Sequence, residues 1–213
     1  MATPDSVQRA YDAVAPTYAA HFPGTEPEAP LDLAIVDAFA TAVATSENKR
    51  VLDAGCGTGR MSRYVADRGC HVEGVDLSPG MVEQARRAQP DLRFEVAKLG
   101  ALPHADATFD GVLLWYSTIH TPPAGQPAIF AEAARVLRRH GHLLVAFQSG
   151  EGARDVSAAY ARFGHDVELV RHLFTPDEVA AWATGAGLTE TARMVRRAVD
   201  TERDDQAALL FVR

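Results

Sequence analysis

The chain has 213 residues, 47% of them hydrophobic and 23% charged, which is enough apolar material for one domain of ordinary to large size and too little charge for global disorder. Acids exceed bases by 28 − 21 = 7, which argues against a general binder of nucleic acid or anionic membrane, since such surfaces are basic. No membrane-spanning apolar run and no basic–apolar leader is visible, and the two cysteines, Cys56 and Cys70, read as reduced thiols of a cytoplasmic protein.

Thr3-Pro4-Asp5 is a helix start, with a hydroxyl cap, proline in the first turn and an acid favoured by the helix dipole. Val7, Ala10, Tyr11, Val14 and Tyr18 follow at helical spacing, and Pro16 is expected to split this helix in two. The proline-rich stretch from His21 to Pro30 reads as a loop, and Leu31 to Thr45 as a second helix. Tyr11, Tyr18 and Phe22 serve either as core or as a lid formed by residues 1–45.

From Arg50 onward, strand and helix alternate. Strands are expected at Val51–Ala54, His71–Val75, Leu92–Val96, Phe109–Trp115 and Leu143–Phe147. The helices between them run from Met61 to Arg68, from Ser78-Pro79 to Pro90, and from Pro127 to Arg139. The turn Arg139-His140-Gly141-His142 separates the last helix from its strand. Residues 149–174 interrupt the alternation and contain a short helix near Val156–Phe163. Thr175-Pro176-Asp177-Glu178 is a capping box for a helix ending at Gly185, and two strands follow, Leu188–Val195 and Ala207–Val212. Repeated strand–helix units imply a mostly parallel sheet with helices on both faces, within a single domain over residues 1–213.

Val51-Leu52-Asp53-Ala54-Gly55-Cys56-Gly57-Thr58-Gly59 is a strand, a tight turn and a helix start. Such turns sit where open α/β sheets bind ligands. Asp76 ends the second strand about 20 residues after the glycines, where a carboxylate accepts from ribose hydroxyls. A dinucleotide turn favours Gly-x-Gly-x-x-Gly, and Asp53 would repel a pyrophosphate. An acid there suits a ligand carrying an ammonium group and no phosphate. S-adenosylmethionine has an amino-acid end, a sulfonium and a ribose, and the electrostatics favour it.

This stretch resembles the first motif of the class I S-adenosylmethionine-dependent methyltransferases. Gly74-Val75-Asp76-Leu77-Ser78 with Met81 resembles their second motif, Phe109-Asp110-Gly111-Val112-Leu113 their strand-four motif, and Arg135-Val136-Leu137-Arg138 before Gly141 the turn before strand five. Tyr11-Asp12-x-x-Ala15-x-x-Tyr18 resembles the opening of the small-molecule branch. The resemblance implies a Rossmann-like, doubly wound sheet of seven strands, mostly parallel, with an antiparallel strand near the C-terminus. It also implies that Asp53, Gly55, Gly57 and Thr58 border the methionine portion of the cofactor. Asp76 would take the ribose, Leu77, Met81 and the Leu99 backbone would flank the adenine, Trp115 and Tyr116 would line the methyl-transfer site, and Tyr11 and Tyr18 would close over the cofactor. Two departures stand out. Lys98 replaces an aspartate that accepts from the adenine amino group in many relatives, and Gly141-His142 replaces a double glycine.

Methyl transfer needs alignment, desolvation and sometimes a base. His120, in the loop after strand four, is the candidate base, or else it caps that loop. Tyr116 and His165 are candidates for the acceptor pocket, and His165 and Asp166 are further candidate bases. His21, His71, His104, His140 and His142 read as solvated surface, and no metal spacing is present. Thr121-Pro122-Pro123-Ala124 lacks the leading amide or acid and the aromatic of an amino-methylase signature. The expectation is a methyltransferase for a small organic acceptor, with no nucleic-acid or membrane partner and with monomer and homodimer both open. The alternatives are a nicotinamide-dependent oxidoreductase and a non-catalytic S-adenosylmethionine-binding protein.

Overall fold

A computed structural model describes residues 4–213. The Thr3 cap lies outside the described residues. The elements in chain order are α1 (Pro4–His21), α2 (Pro30–Ala44), β1 (Arg50–Ala54), α3 (Arg60–Ala66), β2 (His71–Asp76), α4 (Pro79–Ala88), β3 (Arg93–Val96), β4 (Phe109–Trp115), α5 (Gln126–Val136) and β5 (Leu137–Ser149). They continue with β6 (Ala153–Asp155), α6 (Ser157–Ala161), β7 (Val170–His172), α7 (Pro176–Gly185), β8 (Thr189–Arg196) and β9 (Asp205–Val212).

Seven strands form one sheet in the order β3-β2-β1-β4-β5-β9-β8. The pairs from β3 to β5 are parallel, and β9 runs antiparallel to both β5 and β8. The order reverses between β1 and β4, and ligands of open α/β sheets bind outside the strand ends at such a reversal. β4 is buried along its whole length, as expected for a strand covered on both faces. On one face Phe39 and Val43 of α2 and Met61 and Val65 of α3 pack on Val51, Leu113 and Leu144. On the other, Ile129, Phe130 and Ala133 of α5 and Val179 and Ala183 of α7 pack on Leu52, Val112, Val145 and Leu209. The insertion after β5 carries its own antiparallel pair, β6–β7.

Three expectations need correction. Pro16 does not divide the first helix, which runs unbroken from Pro4 to His21. Proline removes one backbone donor, and side-chain anchors on both sides of it hold the helix in place. Before it, Asp12 Oδ1 accepts from Ser78 Oγ (2.5 Å) and from the Gly80 N–H (2.9 Å) at the start of α4. After it, the Thr17 hydroxyl bonds His165 Nε2 at 2.7 Å.

The second correction concerns residues 137–142. α5 stops at Val136, and Arg139-His140-Gly141-His142 lies within β5. The residues between Leu137 and His142 bulge, since Leu137 pairs with Phe109 while His142 pairs with Gly111. His140, at φ +65, donates its N–H to the Arg213 carbonyl (2.7 Å), and Arg138 bonds Asp110 Oδ1 at 3.0 Å. Third, His104 is not solvated surface. Its side chain is largely covered, its ring meets Phe109 edge-on, and burial lowers its pKa.

Candidate functional site

The carboxyl ends of β1, β2, β4 and β5 open into a cleft of about 1340 Å³. That exceeds the roughly 300–1,000 Å³ of an ordinary ligand pocket, so a nucleoside cofactor and an acceptor fit together. α1, the loop after it and the insertion between β5 and α7 cover the cleft.

Gly55, Gly57 and Gly59 all have positive φ (85°, 54° and 79°). A side chain at Gly55 would collide with Ser117 of the loop after β4, its Cβ falling 2.2 Å from Ser117 Cβ. A Cβ at Gly57 would meet nothing within 4 Å, and Gly57 lines the cleft. The turn therefore leaves open space above Gly57 where a ligand can approach the backbone.

Asp53 and Asp76 flank this turn and both line the cleft. Asp53 is buried and accepts from Ser62 Oγ at 2.6 Å. Burial pushes its carboxyl up to about 6, against the Ser62 hydrogen bond and the Arg60 charge. Asp76 fixes the turn, with Oδ2 accepting from the Gly57 N–H (2.8 Å) and Oδ1 from the Ser78 N–H (2.9 Å). Burial raises its pKa as well, and those backbone bonds oppose the shift. A carboxylate has about four lone-pair sites, so Asp76 retains capacity for two more donors.

The remaining candidates converge on the same cleft with one exception. Thr58, Leu77, Met81, Leu99, Trp115, Tyr116, Tyr11, Tyr18 and His120 all line it, and so does Lys98. His165 does not line it; its bond to Thr17 places it in the seam between α1 and the insertion. Trp115 and Tyr116 meet edge to face at 5.4 Å, and Tyr116 sits at φ +53.

His120 lies between α1 and β7. Its Nδ1 donates to the Val170 carbonyl (2.6 Å), so Nε2 is the unprotonated nitrogen and accepts from the Tyr11 hydroxyl (2.7 Å). Burial lowers the imidazole pKa to about 4, and the ring is neutral at physiological pH. Burial, with Tyr160 and Tyr18 nearby, raises the Tyr11 phenol well above its usual value.

Sequence reasoning missed two features. The first is Glu28, in the loop after α1. It bridges Arg60 (2.6 Å) at the start of α3 and the Trp115 indole N–H (3.0 Å), fastening that loop across the cleft. Arg60 directly after the glycine turn was the available signal; nothing around Glu28 marks its role. The second is a polar wall at Gln148, Arg171, Asp204 and Gln206, which touch the cleft from three separate segments. Glu28→Gln is expected to weaken the Arg60 bridge and lower stability by up to about 1.5–3 kcal/mol, the range for a hydrogen bond to a charged group, measurable as a lower midpoint of thermal unfolding.

The reversed strand order and the acid-flanked glycine turn define a doubly wound α/β protein with a ligand cleft at the carboxyl ends of its strands. Residues 51–141 match a family model described as a methyltransferase domain. Demethylmenaquinone methyltransferase from Beutenbergia cavernae is 39% identical over 105 residues, which are 49% of this chain and 43% of that protein. Magnesium protoporphyrin IX methyltransferase from Synechocystis PCC 6803, solved with bound S-adenosylhomocysteine (SAH), superposes with a TM-score of 0.71 at 19% identity, covering 99% of each chain. The [4+2]-cyclase SpnF superposes with a TM-score of 0.72 at 18% identity, covering 100% of this chain and 97% of that one. Residues 51–141 thus match a methyltransferase domain, and the fold is that of solved S-adenosylmethionine-dependent methyltransferases. The chain spans about half or less of the length of the first curated relatives it matches.

Proposed function

We propose that this protein transfers the methyl group of S-adenosylmethionine to a small organic acceptor. The observation that carries this reading is the open space above Gly57, beside the buried Asp53 and the half-buried Asp76. That arrangement accepts a ligand with an ammonium and a ribose and disfavours a pyrophosphate, which sets it against a nicotinamide cofactor. In this reading Asp53 faces the ammonium, Asp76 takes the ribose hydroxyls, and Leu77, Met81 and Leu99 border the adenine. The cofactor supplies an electrophilic methyl on sulfur. Tyr11, Tyr18 and Trp115 exclude water and present aromatic faces, which favour a sulfonium. α1 and the loop fastened by Glu28 act as the lid.

Calorimetry with SAH tests the reading directly. Binding at micromolar concentrations is expected, and no binding at tens of micromolar would remove the foundation. Protein loaded with radiolabelled methyl donor, offered a panel of small acceptors, then separates an enzyme from a protein that only binds the cofactor.

Affinity should depend on pH through Asp53. Its folded carboxyl holds a proton more tightly than the unfolded one, so this group's contribution to stability is present below 3.8 and is lost as pH rises through about 6. An ammonium selects the ionised carboxylate, so affinity runs the opposite way. SAH is expected to bind about tenfold more weakly at pH 5 than at pH 7, and Asp53→Asn to flatten that slope. Asp76 shifts in the same direction, and the Asn variant isolates the share of Asp53.

His120 is the proposed base, acting through Tyr11. A proton leaving the acceptor passes to the phenol oxygen as the phenol proton moves to His120 Nε2. Tyr11→Phe is expected to lower kcat about a hundredfold with a smaller change in KM. An unchanged kcat would leave His120 with tethering alone.

A further inference from the structure

One wall of the cleft carries polar atoms that the cofactor-side residues leave unused. β4, β5 and β9 are adjacent, so Ser117 after β4, Gln148 near the end of β5 and its register partner Gln206 in β9 lie side by side. Asp204 immediately precedes β9, and Arg171 comes across from β7. All of them line the cleft.

The Asp204 side chain is only 3% exposed. Its Oδ1 accepts from Arg154 Nε at 2.7 Å. Its Oδ2 has Arg171 Nη1 no nearer than 3.9 Å and finds no hydrogen-bond partner among the described residues. Gln148 Oε1, Arg171 Nε and Ser117 Oγ are likewise buried and unpaired among the described residues. Buried polar atoms in native proteins are almost always paired with protein or with ordered water, so these atoms offer partners to a polar ligand that displaces water from the cleft. Gln206 is already engaged, accepting from the Tyr116 hydroxyl (2.9 Å) and donating to the Asp204 carbonyl (2.7 Å), so it braces the wall.

The charges narrow the chemistry. Arg154 is bonded to Asp204, whereas Arg171 has its nearest Asp204 oxygen at 3.9 Å, beyond hydrogen-bond distance, so its guanidinium is left open to an anionic partner. Asp155, also on the cleft, is turned to the Ser157 N–H (2.8 Å). The ligand should therefore bring an anionic oxygen for Arg171 and a hydrogen-bond donor for Asp204 Oδ2 and Gln148 Oε1.

We propose that this wall recognises the acceptor, and that the acceptor is a small hydroxy- or amino-carboxylic acid. Its O–H or N–H donates to Asp204 and Gln148 while its carboxylate accepts from Arg171. This rests on the methyltransferase reading and adds the substrate class to it.

The test measures binding of four probes to SAH-loaded protein by calorimetry: 2-hydroxybenzoate, benzoate, phenol and methyl 2-hydroxybenzoate. Only the first combines a carboxylate with a donor. It is expected to bind about tenfold more tightly than each of the others, and Asp204→Asn should remove that preference. Asn also disturbs the Arg154 pair, so Arg171→Gln and Gln148→Met are measured beside it. Neither of these residues' unpaired atoms supports another contact, and their SAH affinity reports an intact fold. Equal binding of the four probes, binding by none, or a preference that survives in both of those variants overturns the acceptor assignment. Failure of SAH to bind the wild-type protein overturns the methyltransferase reading instead.

Discussion

Asp76→Ala is expected to weaken SAH binding at least about a hundredfold and to lower stability as well. Both effects come from one carboxylate with two tasks. Its Oδ2 and Oδ1 accept the Gly57 and Ser78 N–H groups, which ties the glycine turn to the start of α4. Alanine leaves both donors without that partner, at about 1–3 kcal/mol for each one that stays buried and unpaired. The same carboxylate is the proposed acceptor for two ribose hydroxyls. Hydrogen bonds to a charged group contribute about 1.5–3 kcal/mol each, so losing two removes at least a hundredfold in affinity. Thermal unfolding reads the first loss and calorimetry at a temperature where the variant is folded reads the second. A variant that melts early yet binds SAH as the wild type does would confine Asp76 to fixing the turn.

The sheet was legible in the sequence because its parts are local. A run such as Val51–Ala54 followed by glycines, or Phe109–Trp115 with hardly a polar residue, announces a buried strand without outside help. Thr175 and Glu178 formed the expected capping box for the same reason, since a cap is written in four consecutive residues. Pro16 misled because a single residue's preference was set against anchors about 60 and 150 positions away, at Ser78 and His165. The glycine–histidine turn before β5 misled similarly. It reads as a break, but the chain's last residue, Arg213, pairs with it and draws it into the strand.

The site divides along the same line. The half proposed for the cofactor sits on one contiguous strand–turn–helix and on the next strand's end, and nearly every residue expected there lines the cleft. The other half is assembled from Gln148, Arg171 and Asp204, which share no spacing. For His165 the sequence offers only a residue type within the insertion, and the packing of α1 against that segment decides that it faces Thr17. Glu28 is in the same position, a carboxylate in a proline-rich loop whose partners lie 32 and 87 residues further on.

The glycine turn yields the sharpest contrast, because two of its glycines are needed for different reasons. Gly55→Ala is expected to cost about 2–6 kcal/mol of stability, the sum of a left-handed residue that is no longer glycine and an overpacked contact. The new Cβ would fall 2.2 Å from Ser117 Cβ, an atom fixed to the backbone that cannot swing aside. Either β1 or the loop after β4 must move, and with a typical total of about 5–15 kcal/mol the variant sits near the edge of folding. Gly57→Ala carries only the left-handed strain, about 1–2 kcal/mol, because its Cβ meets nothing within 4 Å. That methyl group enters the space assigned to the cofactor, so the variant should fold, melt a few degrees lower and bind SAH at least about tenfold more weakly. Melting curves and calorimetry on the two variants should thus separate, with Gly55→Ala failing in stability and Gly57→Ala failing in binding. Unchanged SAH affinity in a folded Gly57→Ala protein would move the cofactor away from the turn.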